Sequence, residues 1–435
     1  MRIWQRRFGN GRGATLTLAD QLVSSASNFA LGVLIARAGG ANALGAFGIA
    51  FVLWLAVVGV NRALVTEPMT VGGSTEEADA QLVEGLLASL ILGVVVAVVL
   101  ALVAGVLLLL GVRAVAVVAL VPWIPSLLAQ DYCRLMAFRL QRPGQALISD
   151  VVFAAAQGMA TVGLYMLNER SVPAFLAAWG IGASVGAVVG LVMLGTRMNR
   201  CRGGVVHLRQ LWPRSRWFLA EFGTAFPASQ GYLLLLPLLL GTAEFGLYRA
   251  GASLIGPVVV FFLAGGNVGL PECVRRLRRD GMVGLHAYAQ RLTASVVALT
   301  VAYCGAVAVL ASPVLRLTYG DEFTGAAVIT RLVAIDYVIA AIGFGFGMAM
   351  KAAGQMRRLW AIRAASAAIS VAAVTVLAKS FGLTGAGWAT VVTSLAYTAG
   401  VTAGYRRMRR RPPADAAARG TIDRQRIRQP TARAD

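Results

Sequence analysis

Apolar residues in this chain come in long blocks, and polar residues gather in the gaps between them. Most blocks approach the roughly 20 residues that an α-helix needs to cross about 30 Å of hydrocarbon. The pattern predicts twelve spans: 14–37, 43–63, 83–110, 114–138, 145–167, 172–196, 217–240, 243–269, 286–311, 325–350, 359–379 and 383–404. Charges, or Gly and Pro, mark most of the breaks. The expected fold class is an all-α polytopic membrane protein.

The first span is unusual. In LADQLVSSASNFALGVLIARAGG, residues 18–40, the polar positions do not scatter. At about 100° per residue, Asp20, Gln21, Ser24, Ser25, Ser27 and Asn28 share one face. Leu22, Val23, Ala26, Phe29 and Ala30 share the other. A charge near the bilayer centre costs roughly 2.5–3.5 kcal/mol on insertion scales, so such groups face a bundle interior or water. A cavity-lining face is expected. The alternative is packing through interhelical hydrogen bonds. It accounts for Ser24 and Ser25, and for Asp20 only if an arginine neutralises it.

A repeat hides at an offset of 201 residues. Leu18-Ala19-Asp20 aligns with Leu219-Ala220-Glu221, and Asn28 with Ser229. Gly40 and Gly45 align with Gly241 and Gly246. The pattern predicts an N-lobe of six helices over 14–196 and a C-lobe of six over 217–404. Six is even, so the two lobes run parallel, as in parallel-repeat transporters whose solute site lies near the midplane. Helix 7 also holds Pro227 and Pro237, which favour a kink.

Composition agrees with membrane insertion: 58% of the 435 residues are hydrophobic and 14% charged. The net charge of +21 is topological. Of 40 Lys and Arg, 31 fall at the N-terminus, in or beside even-numbered loops or in the tail, and five in or beside odd-numbered loops. By the positive-inside rule both termini are cytoplasmic, which displaces nucleic acid as a partner. Residues 1–13 read as a basic cytoplasmic N-terminus, 197–216 as a basic linker and 405–435 as a disordered basic tail. RRMRRR at 406–411 is placed to meet anionic membrane lipids. The first helix reads as its own insertion signal rather than a cleaved leader.

Within other spans, Asp336 is the deepest acid, on helix 10 with Arg331. Arg249 lies on helix 8, and Asp150 and Gln157 share a face of helix 5. Arg62, near Glu67, reads as a gate residue or a topology charge. Cys133, Cys201, Cys273 and Cys304 have no metal-ligand spacing, so neither disulfide nor metal is expected. The two histidines are far apart and no P-loop is present. No catalytic residue, enzyme activity or cofactor is expected.

With DQLVSSASNFALGVLIARAGGANALGAFGIA in helices 1–2, YRAGASLIGP in helix 8 and twelve spans, residues 14–404 resemble the multidrug/oligosaccharidyl-lipid/polysaccharide exporter superfamily. The polysaccharide-transporter branch, which includes O-antigen flippases, is the nearest match. The resemblance implies two lobes forming a V around a central cavity. It also implies alternating-access export of polyprenyl-diphosphate-linked oligosaccharide across a bacterial cytoplasmic membrane. Arginine suits the diphosphate because its planar fork binds phosphate oxygens in pairs. Helix 1 departs from lipid II flippases in carrying Asp20 and Asn28 but no central Arg. The substrate-binding candidates are therefore Arg249, Arg331, Arg37 and Arg62, with Asn28 and Ser229. Asp20, Glu221 and Asp336 are the ion-coupling candidates. A polysaccharide polymerase or glycosyltransferase complex is the implied protein partner. The other readings are an H+- or Na+-coupled multidrug antiporter and a non-transporting assembly scaffold.

Overall fold

The computed structural model describes residues 11–72, 78–111, 114–195 and 203–410. The basic N-terminal stretch up to residue 10, Arg113, Cys201 and the tail from residue 411 lie outside the described residues.

The described residues form helices and turns. Eight helical stretches are long and apolar enough to cross a membrane. Three of them, Thr15–Thr70, Val258–Val309 and Met356–Arg410, run 52 to 56 residues, enough for two crossings each. Each bends at one glycine with positive φ: Gly40 at 68°, Gly281 at 65° and Gly382 at 58°. A Cβ disfavours this backbone region, so glycine is the residue that turns the chain most readily here. These bends give eleven spans. The twelfth is broken by a π-turn over Pro227–Gly231, where a missing proline N–H loosens the helical ladder.

In chain order the spans are α1 (11–39), α2 (41–72), α3 (78–109), α4 (115–139), α5 (143–166) and α6 (172–194). They continue as α7 (204–240), α8 (242–280), α9 (282–309), α10 (321–352), α11 (356–381) and α12 (383–410). Twelve spans are thus present, with ends that differ from the hydropathy pattern. The largest difference is in α7, which begins at Gly204 rather than 217. Residues 204–216 of the basic linker are helical because Gly204, His207, Leu211 and Ser215 make one buried stripe. Ser215 Oγ donates to the Leu64 carbonyl at 2.7 Å, fastening that stripe to α2.

Contacts divide the chain into two compact units. Unit 1 is Met1–Phe226 with Thr242–Gly246, and unit 2 is Pro227–Gly241 with Leu247–Asp435. The first division falls inside α7, at the start of its π-turn.

In unit 1 small residues let helices approach closely. Gly182, Gly186 and Gly190 recur every fourth position on α6. A Cβ on Gly182 or Gly186 would meet Phe153 of α5, and one on Gly190 would meet Cys133 of α4. Close van der Waals packing of this kind holds helices together where lipid removes the hydrophobic drive. On α3 the outward face shows Val94, Val98, Leu102 and Val106 at four-residue steps, all exposed. That face meets lipid.

The 201-residue offset is visible in the backbone. Gly40 and Gly241, the aligned pair, both have positive φ and begin α2 and α8. Five residues later the aligned glycines pack reciprocally. A Cβ on Gly45 would lie 1.8 Å from the Thr242 carbonyl oxygen, and one on Gly246 would lie 1.9 Å from that of Ala41. Ala41 and Thr242 are themselves aligned. Unit 1 therefore includes the start of α8 because two equivalent turns interlock.

Candidate functional site

Unit 1 holds a charged network in its interior. Helix α4 supplies Gln130, Asp131 and Arg134. Gln130 and Arg134, four apart, point to one side of α4. Arg134 donates through Nε and Nη2 to Asp20 Oδ2 of α1, at 3.0 and 2.5 Å. The same guanidinium reaches Asp150 Oδ2 of α5 at 3.1 Å, and Gln130 Nε2 donates to Asp150 Oδ1 at 2.7 Å. Asp131 faces α2, where Arg62 binds it through Nε at 3.0 Å and Nη2 at 2.5 Å.

Arg62 opens the π-turn Arg62–Thr66, a local widening that often marks functional positions. Asp20, Asp131 and Asp150 are all buried, while Arg62 and Arg134 are partly exposed. Ionised, the three carboxylates exceed the two guanidiniums by one negative charge. Burial makes such an excess expensive unless a proton or small cation joins it.

Several buried acceptors beside this network have no hydrogen-bond partner: Asp20 Oδ1, Asn28 Oδ1 and Gln157 Oε1. Gln157 Nε2 reaches the Ser27 carbonyl at 3.5 Å, which links the polar face of α1 to α5. Asn61, wholly buried before the π-turn, leaves both amide atoms unpartnered. The arrangement suits cations, protons or water.

Unit 2 holds a second polar node. Tyr232 and Tyr248 hydroxyls lie 3.5 Å apart. Arg249, half-buried, lies in the neighbourhood of Tyr232, Tyr248 and Tyr319. Tyr319 and Ser253 share a hydrogen bond of 2.7 Å. Asp336 lies in the same neighbourhood, and Ser394 donates to its Oδ1.

The remaining candidates are placed as follows. Glu221 is exposed and interacts with Glu67, so the aligned pair Asp20 and Glu221 occupies opposite environments. Arg37 and Arg331 are exposed, and Arg331 donates to the Ala308 carbonyl at 3.3 Å. Ser229 lies in the π-turn, with its side chain outside the described atoms. Asp20 does not stand alone: the arginine that its burial required is Arg134, which charge counting assigned to topology.

The sequence reading missed Asp131, Arg134 and the tyrosines. Gln130-Asp131 and Arg134 within an otherwise apolar α4 were the available signal. Among the described residues no His/Cys/Asp/Glu group could hold a metal ion. Cys133, Cys273 and Cys304 are free thiols.

His207 lies in the first turns of α7, ahead of its apolar stretch from 217 onward, and docks that helix start. Its Nδ1 lies 3.2 Å from Glu84 Oε2 of α3. Burial lowers the imidazole below its usual range, with Glu84 opposing, so the contact is a hydrogen bond from neutral His207.

No family model matches this chain, and no curated protein sequence matches it. Solved structures do. A lipid II flippase, MurJ, in an inward closed conformation aligns with a TM-score of 0.71 at 12% identity, covering 90% of this chain and 87% of that one. A multidrug resistance MATE transporter in an inward-facing conformation aligns at 0.67 and 16%, covering 94% and 99%. A MATE protein in a bent conformation aligns at 0.58 and 14%, covering 94% and 95%. The chain has the fold of multidrug/oligosaccharidyl-lipid/polysaccharide exporters. These similar proteins are transporters and flippases rather than enzymes.

Proposed function

We propose that the protein is a flippase for a polyprenyl-diphosphate-linked oligosaccharide, acting by alternating access in a bacterial cytoplasmic membrane with both termini inside. The observation that carries this reading is Arg249 set among Tyr232, Tyr248 and Tyr319. A guanidinium fork binds phosphate oxygens in pairs. Tyrosine faces and hydroxyls suit sugars, having an apolar body and a polar tip. In this reading Arg249 holds the diphosphate, rather than the exposed Arg37 and Arg331 or the Asp131-bound Arg62. Asn28 contributes a free acceptor to sugar hydroxyls. Asp20 and Asp336 exchange the coupling ion, Asp20 through the Arg134 network.

The test is flipping of a fluorescent polyprenyl-diphosphate sugar in proteoliposomes. Arg249→Gln should abolish it and Arg249→Lys should restore part, since a point charge replaces the fork. Undiminished flipping by Arg249→Gln would remove the residue from the site.

A second reading, a cation-coupled multidrug antiporter, is favoured by the excess of carboxylates over guanidiniums in unit 1. It predicts cationic dye transport that Asp20→Asn abolishes.

A further inference from the structure

The end of α8 builds a second cationic site. Glu272, Arg275, Arg276, Arg279 and Asp280 recur at steps of three and four, so they share one helix face. Arg275 and Arg276 both bind Glu272, the latter through Nε at 2.8 Å. Arg276 also reaches Asp280 through Nη1 at 3.3 Å, and Arg279 reaches it through Nε at 3.0 Å. Gly281 then turns the chain into α9.

Glu272, Arg275, Arg276 and Arg279 line an open groove of about 240 Å³ along one face of α8. The two acids work as braces. Arg276 hydrogen-bonds Glu272, and Arg279 hydrogen-bonds Asp280. Each guanidinium has five N–H donors, and these braces engage one or two apiece. The others remain for a ligand. Arg275 and Arg279 are the most open, at 73% and 74% exposure.

A helix C-terminus carries about half a negative charge. With Arg278 on the same turn, four arginines against two acids outweigh it. Held guanidinium forks side by side suit the oxygens of a phosphate group, which they bind in pairs.

Helix ends nearby add bilayer character. Cys273 packs in one core with Leu285, Met350, Leu359 and Met408. That core brings the same ends of α8, α9, α10, α11 and α12 together. Trp360, one position past buried Leu359, is 56% exposed, and tryptophan favours the membrane–water interface.

We propose that this arginine groove is a docking site for the diphosphate of a polyprenyl-diphosphate lipid, where the substrate is held before it reaches Arg249. The identity of the lipid rests on the flippase reading; the diphosphate chemistry rests on the arginine groove alone.

Binding of farnesyl diphosphate to the full-length protein in nanodiscs tests it, with farnesol, inorganic pyrophosphate and phosphatidylglycerol as competitors. Arg275→Gln/Arg279→Gln is compared with Arg357→Gln/Arg358→Gln, an exposed pair on α11. Loss of charge-assisted bonds predicts affinity lower by about tenfold or more in the first pair only. Arg275→Lys/Arg279→Lys should fall between, since charge is kept and the fork is lost.

Equal weakening by both Gln pairs would mean diffuse attraction and overturn the site. Pyrophosphate binding as tightly as farnesyl diphosphate would assign it to a free anion. Equal competition by phosphatidylglycerol would make it a general lipid contact. Failure of sugar flipping together with intact farnesyl diphosphate binding would defeat the flippase reading and leave the site standing.

Discussion

Arg134 reaches from α4 to Asp20 of α1 while also holding Asp150 of α5, so one guanidinium ties three helices in unit 1. The contact explains how α1 carries an acid that is wholly buried. It also sets a stability asymmetry. Arg134→Ala leaves two buried carboxylates without their cation, a change that costs about 3–5 kcal/mol. Asp20→Asn should cost less, because Arg134 keeps Asp150. Denaturation in detergent measures both, and equal losses would show that the triad is not the holding element.

The interlocked turns give a second expectation. At Gly45 and Gly246 an added methyl meets a backbone carbonyl that has no rotamer by which to move. Gly45→Ala and Gly246→Ala should each destabilise by about 1–3 kcal/mol or more. At Gly105, on α3, a Cβ meets nothing within 4 Å. Gly105→Ala should be neutral or stabilise by up to about 1 kcal/mol through helix propensity. Melting temperatures of the purified variants check the contrast.

His207 makes stability depend on pH. Burial lowers its folded value, so the unfolded chain takes up a proton that the folded chain resists. The stabilisation is present above the ordinary imidazole value of about 6.5 and is lost as pH falls below it. Glu84 opposes the shift and Arg139 adds to it. Melting temperature between pH 8 and pH 5 should therefore fall more in wild type than in His207→Gln. A parallel fall in both would place the pH response elsewhere.

Much of this architecture was legible from periodicity. Helical spacing singled out the polar side of α1, of which Asp20 is buried while Gln21 and Ser25 are exposed. The repeat was readable because Gly40 and Gly241 occupy backbone positions that disfavour a Cβ. The partner of Asp20 was not readable. Arg134 lies 114 positions away, and a charge near a span end satisfies the topology rule whether or not it turns inward. Helix α7 began early because its buried stripe of Gly204, His207, Leu211 and Ser215 is spaced among arginines and Pro213, a composition typical of a loop. Tyr319 joined the Arg249 node through folding, 70 residues after it.

Flipping in proteoliposomes tests the central claim most directly. Purified protein is reconstituted with a fluorescent polyprenyl-diphosphate oligosaccharide, and transfer between leaflets is followed by quencher access. The expected result is transfer by wild type, none by Arg249→Gln and little by Asp20→Asn, with all three equally folded. Absence of transfer by wild type, together with cationic dye movement that needs Asp20, would contradict it.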